Sequence, residues 1–487
     1  MRESLFDRRR AGVLLHPTSL PGRYGNGDIG ESAHRFVEFP GAAGFTVWQM
    51  LPLGPTHHGG SPYRSYSAHA GNPLLIDLQP LVRSGWLDES ELPAPTDEGS
   101  VRLECLRSAA DRFFREEHAD RAAFQQFIRE QADWLEEYAL FQTLRGELRG
   151  QPWWEWPADL RDRSEPALRA ARERLSREIQ CVCFEQFLFF SQWQELRDHA
   201  QRRGIHLFGD LPIFVAHDSA DVWARPDLFL LESEGRPRWV AGVPPDYFSQ
   251  DGQRWGNPRY DWQRMEEDFE WWRVRLETQL QLFDLLRVDH FRGFQACWHI
   301  PRTSETARDG HWVEVPGRAL FEALQSRFDP LPLVAEDLGF ITPEVHALRR
   351  QFGLPGMRIL QFAFDGNSDN PYLPHNHSPD SVVYTGTHDN DTTLGWFDRL
   401  DGAARDRLWE YLGRPHEPMP WPLIRAALRS VAGLAVIPLQ DLLGLGSEHR
   451  MNVPGTVEGN WCWRFRQSQL DELDVESIAR MVRGYGR

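Results

Sequence analysis

The sequence predicts an α/β fold, a (β/α)8 TIM barrel with large, mainly helical insertions and no separate C-terminal β-sandwich domain. Two observations carry this expectation. Eight short apolar runs rich in β-formers recur along the chain, and after Asp289 strand-like and helix-like segments alternate at about the spacing of βα units. The chain also has 487 residues, whereas a plain barrel needs about 250, so insertions must account for the excess.

The expected strands are Gly12–Leu15, Thr46–Leu53, His206–Ile213, Leu285–Asp289, Leu331–Glu336, Met357–Phe364, Val382–Thr387 and Leu434–Leu439. Expected helices include Ser32–Ala43, Trp262–Phe283, Ala319–Phe328, Pro343–Phe352 and Leu423–Val431. Eight parallel strands with intervening helices suggest one catalytic barrel over residues 1–487. Residues 80–200, rich in Glu, Arg, Leu and Ala at helical spacing, predict an inserted, mainly helical subdomain. Residues 214–262, rich in Pro, Gly, Asp and aromatics, read as an inserted loop region over the cleft. The chain runs out soon after the eighth expected strand, so no separate C-terminal β-sandwich is expected.

Composition narrows the function. No run approaches the roughly 18 apolar residues that span a bilayer. The charged start, Met1-Arg2-Glu3-Ser4, leads to no apolar stretch, so no secretory signal is expected. Cys105, Cys181, Cys183, Cys297 and Cys462 are odd in number and irregular in spacing, which argues against a disulfide framework and for a cytoplasmic protein. Cys181 and Cys183 read as buried thiols, since no His or second Cys pair completes a metal site. A net charge of −17 disfavours nucleic acid and anionic membranes as partners and leaves a neutral substrate open. The 20 tryptophans are about three times ordinary usage; most should pack in the core, and a subset suits sugar stacking.

In such a barrel the active site lies at the C-terminal ends of the strands. Acidic residues recur there: Asp210 after the third run, Asp289 after the fourth, Glu336-Asp337 after the fifth, Asp389 and Asp391 after the seventh, and Asp441 after the eighth. A lone Asp at a strand end often caps the next helix, but five ends in register weaken that explanation. Cleavage or transfer of a glycosidic bond with retention needs a carboxylate nucleophile and a carboxylic acid roughly 5–5.5 Å apart. Asp289, Glu336 and Asp389 are the catalytic candidates. Arg287, two residues before Asp289 and so on the same strand face, would keep that carboxylate charged and fix its rotamer; a structural salt bridge is a compatible role. The cluster Asp389, Asp391 and Asp398 lacks the alternating oxygen ligands of a calcium loop, so no metal is expected.

These motifs lie in a longer ordered series: Gly12-Val13-Leu14-Leu15-His16-Pro17-Thr18-Ser19-Leu20-Pro21, Ser61-Pro62-Tyr63, Gly209-Asp210-Leu211-Pro212, Gly242-Val243-Pro244-Pro245-Asp246, Trp255-Gly256-Asn257-Pro258, Arg287-Val288-Asp289-His290-Phe291-Arg292-Gly293-Phe294, Ala335-Glu336-Asp337-Leu338-Gly339, Gly386-Thr387-His388-Asp389-Asn390-Asp391-Thr392, Arg450-Met451-Asn452-Val453-Pro454-Gly455 and Gly459-Asn460-Trp461. Across nearly its whole length the chain resembles the 4-α-glucanotransferases, or amylomaltases, of glycoside hydrolase family 77. The resemblance implies that Asp289 is the nucleophile of a covalent glucosyl-enzyme, Glu336 the acid/base, and Asp389 the carboxylate that holds sugar hydroxyls and favours ring distortion. It implies that His388 binds hydroxyls, Tyr63 stacks on the sugar at the scissile bond, Asp210 lies near that subsite and Trp255 grips the glucan from a loop over the cleft. It further implies no cofactor, α-1,4-glucans and maltooligosaccharides as substrates, glucose or maltose as acceptor, and a monomer or weak homo-oligomer. Pro40 departs from the family pattern: a proline costs about 3 kcal/mol in a helix interior, so the first helix should kink or stop early. The same carboxylates would serve an amylase-type hydrolase, and the fold alone would permit a non-catalytic glucan-binding protein. The resemblance, not the spacing, favours transfer.

Overall fold

Eight parallel strands close on themselves: β1 (Arg10–Leu14), β2 (Val47–Gln49), β3 (His206–Pro212), β4 (Leu285–Asp289), β5 (Leu333–Ala335), β6 (Gly356–Ile359), β7 (Ser381–Tyr384) and β8 (Leu434–Pro438). The computed structural model describes residues 5–94, 100–115, 120–245 and 249–487; Met1-Arg2-Glu3-Ser4 and Asp246 lie outside them. Strands of a closed parallel barrel are covered on both faces, so they are continuously apolar rather than alternating. β1 and β8 are buried throughout. Their pairing, Arg10 opposite Leu434 through Leu14 opposite Pro438, closes the ring.

All eight expected strands are present, some shorter than expected. β2 ends at Gln49, and Met50, Leu51 and Leu53 leave the sheet still buried. β6 ends at Ile359 and runs into a 3-10 turn, Leu360–Phe362. Apolar residues continue past both strand ends because the barrel mouth is itself covered, so composition does not mark where pairing stops.

The helices bring two corrections. Trp262–Phe283 is not one helix but two, Trp262–Met265 and Glu270–Leu282, broken at Phe269 in the left-handed region (φ 52°). Asp261 caps the first by accepting from Arg264 N, and Asp268 accepts from Glu270 N at the start of the second; such local Asx bonds compete with helix continuation. The first helix does not stop at Pro40: it runs Glu31–Ala43 and ends at Gly44 (φ 80°). Pro40 lies in the last turn, close to where the helix gives way to its C-terminal cap.

Between β2 and β3, helices Ser100–Arg115, Arg121–Glu130, Leu135–Glu147 and Glu165–Arg174 pack on the long helix Ser176–Arg202. That helix is anchored to the barrel by Gln186, whose buried amide accepts from Gly71 N (2.8 Å) and donates to Gly71 O (3.0 Å). Barrel and helices share one contiguous apolar core. A four-stranded antiparallel sheet, in the order Gln253–Pro258, Trp239–Val243, Ala296–Pro301 and His311–Glu314, was not expected from the sequence. Its strands are short and partly exposed, and the register shifts between Val240 and Gly242, so no clean alternation advertises them. After β8, helix Val475–Gly484 packs back on Glu31–Ala43. Among the described residues no helix is long and apolar enough to cross a membrane.

Gly209 on β3 offers a test of how tightly the barrel is packed. A Cβ there would fall 2.3 Å from Phe283 Cδ2, and Phe283 is fully buried. Gly209→Ala should destabilise the protein by about 1–3 kcal/mol in urea unfolding. Gly41→Ala, whose Cβ would meet nothing within 4 Å on a helix, should be neutral or stabilising by comparison.

Candidate active site

The C-terminal rim sorts its acidic residues into two sets. Asp337 and Asp441 are buried in structural networks. Asp337 accepts from Met357 N at 2.7 Å and lies 3.4 Å from Arg349 Nε and 3.5 Å from Arg358 Nη1. Asp441 accepts from Thr385 Oγ1, Thr393 Oγ1 and Thr393 N, tying β7 to the helix that follows Asp389. Asp391 is likewise engaged, by Ser447 Oγ and Arg399. The other set, Asp210, Asp289, Glu336 and Asp389, surrounds Tyr63 and Arg287.

Arg287 is the hub. The register of β3 on β4 places Asp210 opposite Arg287. Its Nη1 donates to both oxygens of Asp210 (2.8 and 2.7 Å), and its Nη2 donates to Asp289 Oδ1 (2.8 Å). Both the guanidinium and Asp210 are buried. Desolvation opposes the charge on Arg287, but Asp210 and then Asp289 outweigh it and hold its pKa well above the ordinary value. Different nitrogens of one side chain thus reach Asp210 and Asp289.

Asp289 and Glu336 end neighbouring strands at the same level. Val288 pairs with Ala335, and Glu336 N donates to Val288 O at 3.0 Å. Adjacent strands lie about 4.7–4.9 Å apart, close to the carboxyl separation of retaining chemistry. Glu336 Oε2 accepts from His290 N (2.7 Å) and Oε1 from Leu338 N (3.1 Å), which fixes its rotamer. Desolvation pushes the Glu336 pKa up to about 8; Arg287 and the two backbone N–H groups pull against this, and Asp289 adds to the rise. Burial therefore favours the protonated form of Glu336 over the charged one. His290, in the left-handed region (φ 52°), is held neutral by burial, its pKa lowered to about 4.

Tyr63 links the two sides of the cleft. Its hydroxyl donates to Asp210 Oδ2 at 2.7 Å. Burial, Asp210, Asp289 and Asp389 raise its pKa well above the ordinary phenol, with Arg287 opposing. Its ring stacks on His388 (centroids 5.3 Å apart, 16° between planes). His388 Nε2 lies 3.3 Å from Asp389 Oδ2. Asp389, half-exposed, also accepts from Asn452 Nδ2 at 2.6 Å, and its carbonyl accepts from Arg450 Nη2 at 2.9 Å. Trp255 stands apart from the carboxylates: it is 37% exposed and meets the His290 ring edge-on at 4.9 Å.

Sequence reasoning did not assign roles to Asn452, Arg450 or Trp461. Trp461 lies 6.0 Å from both Tyr63 and His388. Their motifs were visible, but the segment folds back to the cleft from the far end of the chain, and no spacing rule signals that return. The backbone donors His290 and Leu338 carry no side-chain signature at all.

A family model described as 4-alpha-glucanotransferase matches residues 15–470. A 4-alpha-glucanotransferase of Thermus thermophilus is 51% identical over 479 residues, covering 95% of this chain and 96% of that one. One from Synechocystis is 47% identical over 499 residues, covering 99% of each. Among solved structures, the amylomaltase from Streptococcus agalactiae in complex with acarbose is similar at a TM-score of 0.95 and 37% identity, covering 99% of this chain and 100% of that one.

The raised pKa of Glu336 has a stability consequence. The folded state binds this proton more tightly than the unfolded chain, so Glu336 stabilises the fold below about pH 4.5, and this contribution is lost as pH rises to about 8. Glu336→Gln removes the titration. Its unfolding free energy relative to the parent protein should rise between pH 5 and pH 8; a constant difference would place the Glu336 pKa near that of an ordinary carboxylate.

Proposed function

The chain belongs to the 4-alpha-glucanotransferase family, and we propose that Asp289, Glu336 and Asp389 carry its reaction by double displacement. The observation that carries this reading is the pairing of Asp289 and Glu336 at the ends of adjacent strands, one against a guanidinium and the other protonated. Asp289 attacks C1 of the donor glucose as Glu336 gives its proton to the departing glycosidic oxygen. The resulting glucosyl-Asp289 ester is opened by the 4-hydroxyl of a glucose or glucan acceptor, which returns its proton to Glu336. Transfer then leaves the number of glycosidic bonds unchanged.

Asp389 and His388 suit hydroxyl binding on the distorted donor sugar, with Asn452 and Arg450 holding Asp389 in place. Tyr63 offers a ring for stacking, and Arg287 with Asp210 fixes the nucleophile from below. Trp255, partly exposed beside His290, grips the glucan in this reading. Within this reading residues 80–200 are a helical insertion, and 214–262 build part of the roof of the cleft. The substrates are maltooligosaccharides and α-1,4-glucans, with glucose or maltose as acceptor. Five unpaired cysteines support work in a reducing, cytoplasmic compartment.

Incubation with pure maltotriose should give glucose and a ladder of longer maltooligosaccharides at constant total reducing ends. A steady rise in reducing ends would instead make the enzyme a hydrolase. Asp289→Asn should abolish turnover, and surviving activity would move the nucleophile elsewhere. Glu336→Gln should lose about 10²–10⁴-fold on maltotriose but much less on α-maltosyl fluoride, whose leaving group needs no proton; equal losses on both donors would count against the acid role.

A further inference from the structure

Phe340 is the most exposed Phe or Trp ring among the described residues, at 71%. Its backbone is nevertheless pinned. Arg292, itself buried, donates from Nη1 to Phe340 O at 2.7 Å. The Arg292 guanidinium lies 3.6 Å from the centroid of Trp312 and 5.4 Å from that of Phe340. Scattered exposed apolar residues are ordinary, but this one is a large ring held in water by a buried cation and an aromatic support.

Its place in the fold gives the ring a use. Arg292 belongs to the turn Phe291–Phe294 that directly follows Asp289 and His290. That neighbourhood anchors two exposed aromatics: Trp255 through His290, and Phe340 through Arg292. Phe340 is also four residues beyond Glu336. Between them Leu338 N holds the Glu336 carboxyl, and Gly339 (φ 81°) turns the chain.

The acid/base sits beside the oxygen that joins the donor sugar to the departing glucan, and later beside the hydroxyl of the incoming one. The sugar attached to that oxygen therefore lies beside Glu336, and Phe340 follows Glu336 by four residues on the segment whose Leu338 N holds its carboxyl. A glucopyranose has one apolar C–H face and a rim of hydroxyls. It can cover an aromatic ring while its hydroxyls stay in water, and it brings no charge to a protein of net charge −17.

We propose that Phe340, held by Arg292, is a stacking platform for the acceptor sugar, glucose or a maltooligosaccharide, and sets how well acceptor competes with water for the glucosyl-enzyme. The inference rests on the transferase reading above and adds a residue that acts after the covalent intermediate has formed.

The test uses the full-length enzyme with α-maltosyl fluoride as donor and maltose as acceptor. Fluoride release reports attack by Asp289, and the yields of transfer and hydrolysis products report how the intermediate partitions. Phe340→Ala should raise the maltose concentration for half-maximal transfer at least fivefold and shift products toward hydrolysis. Its thermal midpoint should be unchanged, because the ring is exposed. Phe340→Trp should restore the parent acceptor dependence. The proposal is overturned if Phe340→Ala leaves acceptor dependence and partitioning as in the parent, or if it lowers fluoride release and transfer by one common factor. A parent enzyme that forms no transfer product at all would overturn the transferase reading itself, and this proposal with it.

Discussion

One buried guanidinium organises the site. Arg287 spans Asp210 on β3 and Asp289 at the end of its own strand, and Tyr63 closes the arrangement by donating to Asp210. Removing one member of a buried ion pair costs about 3–5 kcal/mol, because the partner is left charged and unsolvated. Here that constraint keeps two strands in register and holds Asp289 at a set depth. Glu336 is fixed differently, by two backbone N–H groups, one of them from His290 immediately after Asp289. The position of Glu336 thus depends on the backbone that follows Asp289.

The two neighbouring carboxyls meet different surroundings. Asp289 faces the guanidinium directly. Glu336 is desolvated and feels the charge of Asp289, so its pKa moves up to about 8. Like charges on adjacent strand ends cannot both be accommodated without a cation, and Arg287 is shared unequally between them. Rings gather beside these charges: Tyr63, His388 and Trp461 form an aromatic group next to Asp389, while in the segment after β4 His290 meets Trp255 and Arg292 holds Phe340.

Much of this was legible in the sequence where local chemistry decides the outcome. The barrel strands are short, continuously apolar and spaced by helices, so all eight could be read. Arg287 two residues before Asp289 implied contact along one strand face, and that contact is present. The unexpected parts share a cause. The antiparallel sheet is short and bulged, the break at Phe269 comes from competing Asx bonds, and Pro40 proved tolerable because the helix was about to end. Each depends on a balance of small terms that periodicity averages away.

What the sequence alone determined was the set of carboxylates, their strand ends and the fold that brings strand ends to one face. Residue type and period are sufficient for that, because burial and hydrogen-bonding rules act over a few neighbouring positions. Only the tertiary structure decided which of the strand-end acids gather around Tyr63 and Arg287 and which, like Asp337 and Asp441, are bonded into the scaffold. It alone brought Asn452 and Arg450 to Asp389 across about sixty residues, and clamped Phe340 to Arg292 while leaving its ring in water. Those outcomes turn on side-chain direction and chain return, which arise from closure of the barrel and are encoded in no local spacing.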